Sequence, residues 1–422
     1  MTVVGGWYLR LFEGTDQVHL YDEEILIDEL ERFYDGSHRL IIAFRHVAKE
    51  DAPVMMYALD RKLRAAIKER NRRRTNGNRI DSHARFLYGS DVLNWAGKAA
   101  AWLFPKIGCV PVQNRGTNKQ GLTILRNEVR EGRFPIALAP EAQVTYHMYN
   151  CSTIAPGISS LAAWGAESAK DVTIIPVAIG YRHSKDPELF IRSVALRWEK
   201  LSGIPLTNSN DASILTILDE MTQHTLQVLE EAYPPRQKQE PTDNTRARIL
   251  ALCDRIMAQA ETMAQLGHDG SILDRLFRIR YRGMDAINPC AFDPKLLPPV
   301  GRSIADTRAL EAHAYLRHSQ VVDVLEYIDP AYIGPPCPAG RACEYALNLL
   351  DVLNRLQGGN INTRFSPKKK QAMVLFGHPL YISSNSEESR KTRVQRVTGQ
   401  VGDALQEVSK RMEQVWETQY FQ

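Results

Sequence analysis

The sequence predicts an α/β fold: a mostly parallel sheet flanked by helices, with a largely helical C-terminal extension. Short apolar runs at 39–44, 134–139 and 172–179 are separated by longer helical patterns, as in parallel strands joined by helical crossovers. Beyond about residue 243 the pattern changes to helix after helix. The composition, 44% hydrophobic and 24% charged, provides for a substantial core. With 422 residues, two domains are expected.

Taken in order, residues 1–235 read as the α/β domain. Ser184-Lys185-Asp186-Pro187 reads as a turn into a strand at 189–198. Asn210 and Asp211 then offer an N-cap to a helix with Ile214, Ile217, Leu218, Met221 and Leu226 on one face, ended by Pro234 and Pro235. Polar residues 236–245 form the linker. Residues 243–422 hold helices at 246–266, 271–282, 303–327 and 341–356, with proline-rich connectors between them. A strand returns within 372–382, and a last helix spans about 390–416. Two closings of the sheet are open. Either 189–198 is the final strand and the returning strand is an edge addition, or the helices of 243–366 are one insertion before the true last strand. The first is expected.

Several classes are disfavoured. The formal net charge is only +4, so the chain is not built as a whole for nucleic acid. The six cysteines are scattered without a C-x-x-C pair, so no metal site is expected. No run approaches the ~20 apolar residues that cross a bilayer. Charges run through residues 1–24, so no secretory leader is expected, and reduced thiols in a cytoplasmic setting follow.

The candidate chemistry begins at Phe44-Arg45-His46-Val47-Ala48-Lys49-Glu50-Asp51, a histidine five residues before an aspartate at a strand exit. A neutral imidazole can take the proton of a hydroxyl as it attacks a thioester carbonyl. A carboxylate on the other ring nitrogen fixes the tautomer and stabilises the imidazolium. The spacing alone is weak: with eleven histidines, roughly half an H-x4-D match is expected by chance. His318 and Asp323 supply a second copy inside a helical pattern, where five residues rotate by about 140° and point the groups apart.

Downstream come Gly108-Cys109-Val110-Pro111-Val112-Gln113-Asn114-Arg115, then Phe134-Pro135-Ile136-Ala137-Leu138-Ala139-Pro140-Glu141, then Gly157, then Ile174-Ile175-Pro176-Val177. In this order the sequence resembles the glycerol-phosphate and lysophosphatidic acid acyltransferase family. That family carries an N/R-H-x4-D block, a G-x-I-x-V-x-R block, an F-P-E-G-T-R-S block and a V-P-V block. The resemblance covers residues 40–180, and Val374-Leu375-Phe376-Gly377-His378-Pro379-Leu380 resembles the family's late strand.

The resemblance implies His46 as general base and Asp51 as its orienting partner. It implies Arg115, Glu141, Arg45 and Gly157 on the substrate side, with Arg115 on the acceptor's phosphate, a role suited to a bidentate guanidinium. It implies no cofactor, with acyl-CoA or acyl-carrier protein as acyl donor and lysophosphatidic acid as acceptor. A soluble glycerol-3-phosphate acyltransferase, another hydroxyl or amine acceptor, and a non-catalytic lipid-binding protein are the alternatives. The third block departs from the pattern. Ala142-Gln143-Val144 stand where the family has glycine, threonine and arginine, which removes a phosphate contact and restricts the backbone. An extra residue also precedes Arg115.

A basic run spans residues 61–74, and Trp95, Ala99, Trp102 and Leu103 recur at helical spacing just after it. Together they suggest an interfacial helix and a peripheral contact with an anionic membrane surface. The run lacks the interleaved aromatics that stack on bases, so nucleic acid is not expected.

Overall fold

The run at 39–44 forms the middle of a sheet, every residue of its strand being buried. The computed structural model describes residues 5–74, 77–89, 92, 102–112, 119–168, 170–207, 211–235, 244–288, 294–385 and 388–422. The chain divides into two units. Met1–Lys185 with Ser366–Glu417 form one, and Asp186–Phe365 with Thr418–Gln422 form the other.

The strands among the described residues are β1 (Thr15–Tyr21), β2 (His38–Phe44), β3 (Arg85–Gly89), β4 (Val110–Val112), β5 (Ile136–Leu138) and β6 (Asp171–Arg182). They continue with β7 (Cys337–Pro338), β8 (Lys370–Phe376), β9 (Leu380–Ile382) and β10 (Tyr420–Phe421). In the first unit the sheet order is β1-β8-β6-β2-β5-β3-β4, with β9 also on β6. The pairs β1–β8, β2–β6, β2–β5, β3–β5 and β3–β4 are parallel, while β8 and β9 run antiparallel to β6. The sheet is thus mostly parallel, and β2 at its centre is buried along its whole length, with the apolar residues 40–44 following the buried His38 and Arg39.

Helices flank it. Glu23–Tyr34 joins β1 to β2, with acidic Glu23 and Glu24 at its positive N-terminal end and Leu26, Ile27, Leu30 and Phe33 buried. Arg390–Trp416 begins at Ser389, whose hydroxyl accepts the Thr392 N–H at 3.2 Å. It buries Val397, Val401, Leu405, Val408, Met412 and Trp416 at helical spacing. Each such side chain contributes about 1.5–3 kcal/mol relative to exposure.

β8 and β9 share one edge of β6. β8 takes Val177–Arg182 and β9 takes Val172–Ile174. Gly377 makes the break between them: its N–H donates to the Pro176 carbonyl at 2.8 Å. A Cβ there would stand 3.0 Å from Pro176 Cγ and 3.1 Å from its carbonyl oxygen, so the close approach favours glycine.

The second unit holds the helices Pro187–Ser202, Ile214–Ala232, Thr245–Ala264, Ile272–Ile287, Pro299–Leu325 and Ala339–Leu356, and a small β7–β10 ladder. The segment 189–198, expected to be the closing strand, is helical instead. Asp186 caps it by accepting the Leu189 N–H at 3.0 Å, Pro187 occupies the first turn, and Ile191, Val194, Ala195 and Trp198 are buried at helical spacing. The returning strand lies between β1 and β6 and is not an edge addition. The helical unit is therefore an insertion between β6 and β8, and the expected domain boundary at 235 falls at 185. Linker residues 236–243 lie outside the described residues. Among the described residues, no helix is long and apolar enough to cross a membrane.

Candidate active site

β2 ends at Phe44, level with Val177 of β6, and Arg45 N–H donates to the Val177 carbonyl at 2.9 Å. The chain then turns, with Asp51 N–H donating to the Ala48 carbonyl at 3.2 Å, and Asp51 opens the helix Asp51–Tyr57. This turn brings the two ends of the motif together: His46 Nδ1 lies 3.0 Å from Asp51 Oδ2. The Asp51 side chain is fully buried, whereas 25% of the His46 side chain is exposed. An ionised carboxylate only accepts, so Nδ1 carries the hydrogen and Nε2 is left as the basic nitrogen.

Asp51 has further donors. Ala48 N–H reaches Oδ2 at 2.8 Å, and the Tyr181 hydroxyl reaches Oδ1 at 2.6 Å. Burial pushes the Asp51 carboxyl above the usual carboxylate range, while the bonds from His46, Ala48 and Tyr181 pull it back. Burial, and then the negative charges of Asp51 and Glu50, push the Tyr181 phenol well above its usual value, so it remains a donor. Glu50, the residue before Asp51, is buried in an ion pair with Lys370 of β8. Lys370 also donates to Ser366 Oγ at 2.9 Å and lies 5.3 Å from the centre of the Tyr181 ring.

Arg45 and Glu141, expected beside the substrate, are wholly buried in an ion pair, Nε to Oε1 at 3.0 Å. Every guanidinium N–H of Arg45 faces an acceptor: Glu141, the carbonyls of His147, Met148 and Asn150, and Ser409 Oγ. Glu141 Oε2 accepts the backbone N–H of His46 at 2.9 Å, and its Oε1 accepts the Ser152 N–H at 3.2 Å. Thr145 N–H closes the frame by donating to the His46 carbonyl at 2.8 Å. These residues hold the histidine backbone from behind; they do not offer polar atoms to a ligand.

The loop that carries Glu141 is strained. Ala142 has φ 60° and Tyr146 φ 53°, the left-handed region that disfavours a Cβ. Ala142 occupies the place where the resembled family has glycine. Nearby, burial and then Glu141 push the Cys151 thiol up to about 12, which leaves it inert as a competing nucleophile.

Arg115, Trp95 and Ala99 lie outside the described residues. Trp102 is exposed, with Lys106 Nζ 4.6 Å from the centre of its ring. Gly157 is the exposed first residue of the helix Gly157–Ala166, and a Cβ there would meet nothing within 4 Å, so no close approach demands glycine. The basic run separates into two parts. Arg70 pairs with Glu24, Asp28 and Glu31; Arg74 pairs with Glu31 and Asp35; Arg72 and Arg73 pair with Glu69. Arg61, Lys62, Arg64 and Lys68 are exposed and have no carboxylate partner among the described residues.

Tyr181, Glu50 and Lys370 were not anticipated from sequence. A signal for Tyr181 existed: it lies four residues after Val177 on one strand, hence on the same face. Among the described residues, no cluster of three or more histidine, cysteine, aspartate or glutamate side chains could hold a metal ion.

The fold and this pair define an α/β protein with a histidine–carboxylate dyad at the carboxyl end of its central parallel strand, where α/β sheets place their ligand sites. No family model, curated protein or solved structure matches the chain.

Proposed function

We propose that this chain is an acyltransferase that moves a fatty-acyl group from a thioester, acyl-CoA or acyl-carrier protein, to the hydroxyl of a glycerophospholipid. The observation that carries the reading is the 3.0 Å His46–Asp51 contact, in which the carboxylate is buried and the imidazole is partly open. His46 Nε2 takes the hydroxyl proton as the oxygen attacks the thioester carbonyl. Asp51 stabilises the imidazolium without taking its proton. The C–O bond forms, the C–S bond breaks, and the imidazolium returns the proton to the departing thiolate, so no further acid or base is required.

Lysophosphatidic acid is the acceptor favoured by the four-block resemblance. Glycerol-3-phosphate is the second candidate, and the residues after Glu141, which lack the arginine that the family uses there, leave another hydroxyl or amine acceptor open. A peripheral contact with an anionic lipid surface is assigned to Arg61, Lys62, Arg64 and Lys68, whose charges are not taken up by carboxylates among the described residues.

The test is incubation of purified protein with labelled acyl-CoA or acyl-carrier protein and each acceptor separately. Label transferred to lysophosphatidic acid, and lost in His46→Ala, supports the reading. Absence of transfer to every acceptor, with His46→Ala binding lipid as the parent does, rejects it in favour of a non-catalytic lipid-binding protein.

A further inference from the structure

We propose that Tyr181 is a positioning residue that sets the pH range over which His46 acts, by holding Asp51 ionised and aligned through its second carboxylate oxygen. The inference rests on the reading of His46 and Asp51 as a base and its partner. It begins with the division of labour on the carboxylate. Oδ2 receives both His46 Nδ1 and the Ala48 N–H, while Oδ1 has the Tyr181 hydroxyl, its sole donor among the described residues, at 2.6 Å. A fully buried carboxylate keeps its charge only where donors replace water. Removing the hydroxyl leaves Oδ1 with nothing, and the neutral acid gains ground. A protonated Asp51 no longer stabilises the imidazolium, so the base fails at any pH where Asp51 has taken up a proton.

The fold delivers Tyr181 by letting β6 outrun β2. β2 stops at Phe44 opposite Val177, and β6 continues to Arg182 with β8 as its partner, Tyr181 level with Ala372. That overhang carries the buried ring to the turn containing Asp51. The charged groups around the pair come from several elements. Glu50 from the turn is paired with Lys370 from β8, which also lies against the Tyr181 ring. Glu13, after the helix Gly6–Phe12, takes Lys49 at 3.4 Å and the Tyr8 hydroxyl at 3.1 Å. Arg45 and Glu141 neutralise one another. Burial first, and then the carboxylates of Asp51, Glu50 and Glu13, push the phenol up and keep it protonated, so it is Asp51 and not Tyr181 that titrates.

The experiment compares parent, Tyr181→Phe and protein with 3-fluorotyrosine at position 181 by two readouts. One is the pH profile of kcat/KM for acyl transfer. The other needs no turnover: a 13C-carboxyl titration of Asp51 together with the downfield Nδ1 proton of His46. Tyr181→Phe is expected to move the Asp51 midpoint and the acid limb upward by about one pH unit, a tenfold change in proton affinity, with activity recovering at high pH. The fluorinated ring, a stronger donor of nearly the same shape, is expected to move both the other way. Two outcomes overturn the proposal: an Asp51 midpoint that is the same in all three proteins, or a loss of activity equal at every pH. Shifted midpoints in a protein that transfers no acyl group would support the role of Tyr181 and reject the acyltransferase reading, so the two failures are distinguishable.

Discussion

The chain carries two histidines each followed five residues later by an aspartate, and the two neighbourhoods differ in ways that bear directly on proton transfer. His46 leaves a strand and enters a tight turn, so Asp51 comes back to its Nδ1. His318 and Asp323 both lie in the helix Pro299–Leu325, and the rotation between them sends each to a different partner. His318 Nδ1 meets the Tyr233 hydroxyl at 2.8 Å, and Asp323 pairs with Arg280. Asp51 is fully buried under three donors, whereas the Asp323 side chain keeps 17% exposure. The same spacing thus gives a buried carboxylate on an imidazole in one place and two unrelated, partly buried contacts in the other. What decides is whether the backbone between the residues can reverse.

The largest effect separates the histidines. His46→Ala is expected to lower acyl transfer by about 10⁴-fold, the upper range for losing a general base, with the fold intact. His318→Ala is expected to leave the rate within about twofold, since its ring serves a contact worth about 1 kcal/mol. Measured with the same thioester and acceptor, comparable losses in both variants would break the comparison.

The aspartates separate next, and in opposite senses on stability and rate. Asp51→Asn keeps the shape but offers Nδ1 the wrong tautomeric partner, and a fall of about 10³-fold in kcat is expected. Its stability should not fall at neutral pH. The folded carboxyl titrates above its unfolded value, so its contribution is present at low pH and lost as pH rises through the raised value. A neutral amide escapes that loss. Asp323→Asn should do the reverse, leaving the rate unchanged and lowering stability by about 1 kcal/mol through a weakened, partly exposed pair with Arg280. Urea denaturation beside the rate assay checks both halves.

The sequence carried the central strands and the dyad for a plain physical reason. Apolar runs such as 39–44 state their burial directly, and His46 and Asp51 are close along the chain. The last helix, Arg390–Trp416, was legible from the same periodicity. What was not legible depended on distant partners. Arg45 and Glu141 read as substrate groups because the resemblance carried by their motif blocks implies that role. Only the fold shows the carbonyls of His147, Met148 and Asn150 closing around the guanidinium. Residues 189–198 read as a strand because they are rich in apolar residues, and the capping by Asp186 and Pro187 that settles the matter is a few residues upstream. Tyr181 and Lys370 reach the site through strand register: alternation along β6 gives the face of Tyr181, but no local pattern records that β6 outruns β2 or which residue of β8 lies beside it.

The smallest effect lies at the second copy and concerns pH alone. Burial pushes the His318 imidazole below its usual value, so the folded state resists a proton that the unfolded chain accepts. The unfolded state then binds more protons as pH falls below about 6.5, and by linkage the folded state loses stability across that window while keeping it in full above. Burial pushes the Tyr233 phenol upward, so it stays protonated there, and the dependence belongs to His318. His318→Asn should therefore be somewhat less stable than the parent at pH 8, through loss of the Tyr233 contact, and should close or reverse that gap by pH 5. Denaturant midpoints for the two proteins at both values decide it. A gap that stays constant between pH 8 and pH 5 would mean the ring titrates normally, leaving geometry alone to separate His318 from His46.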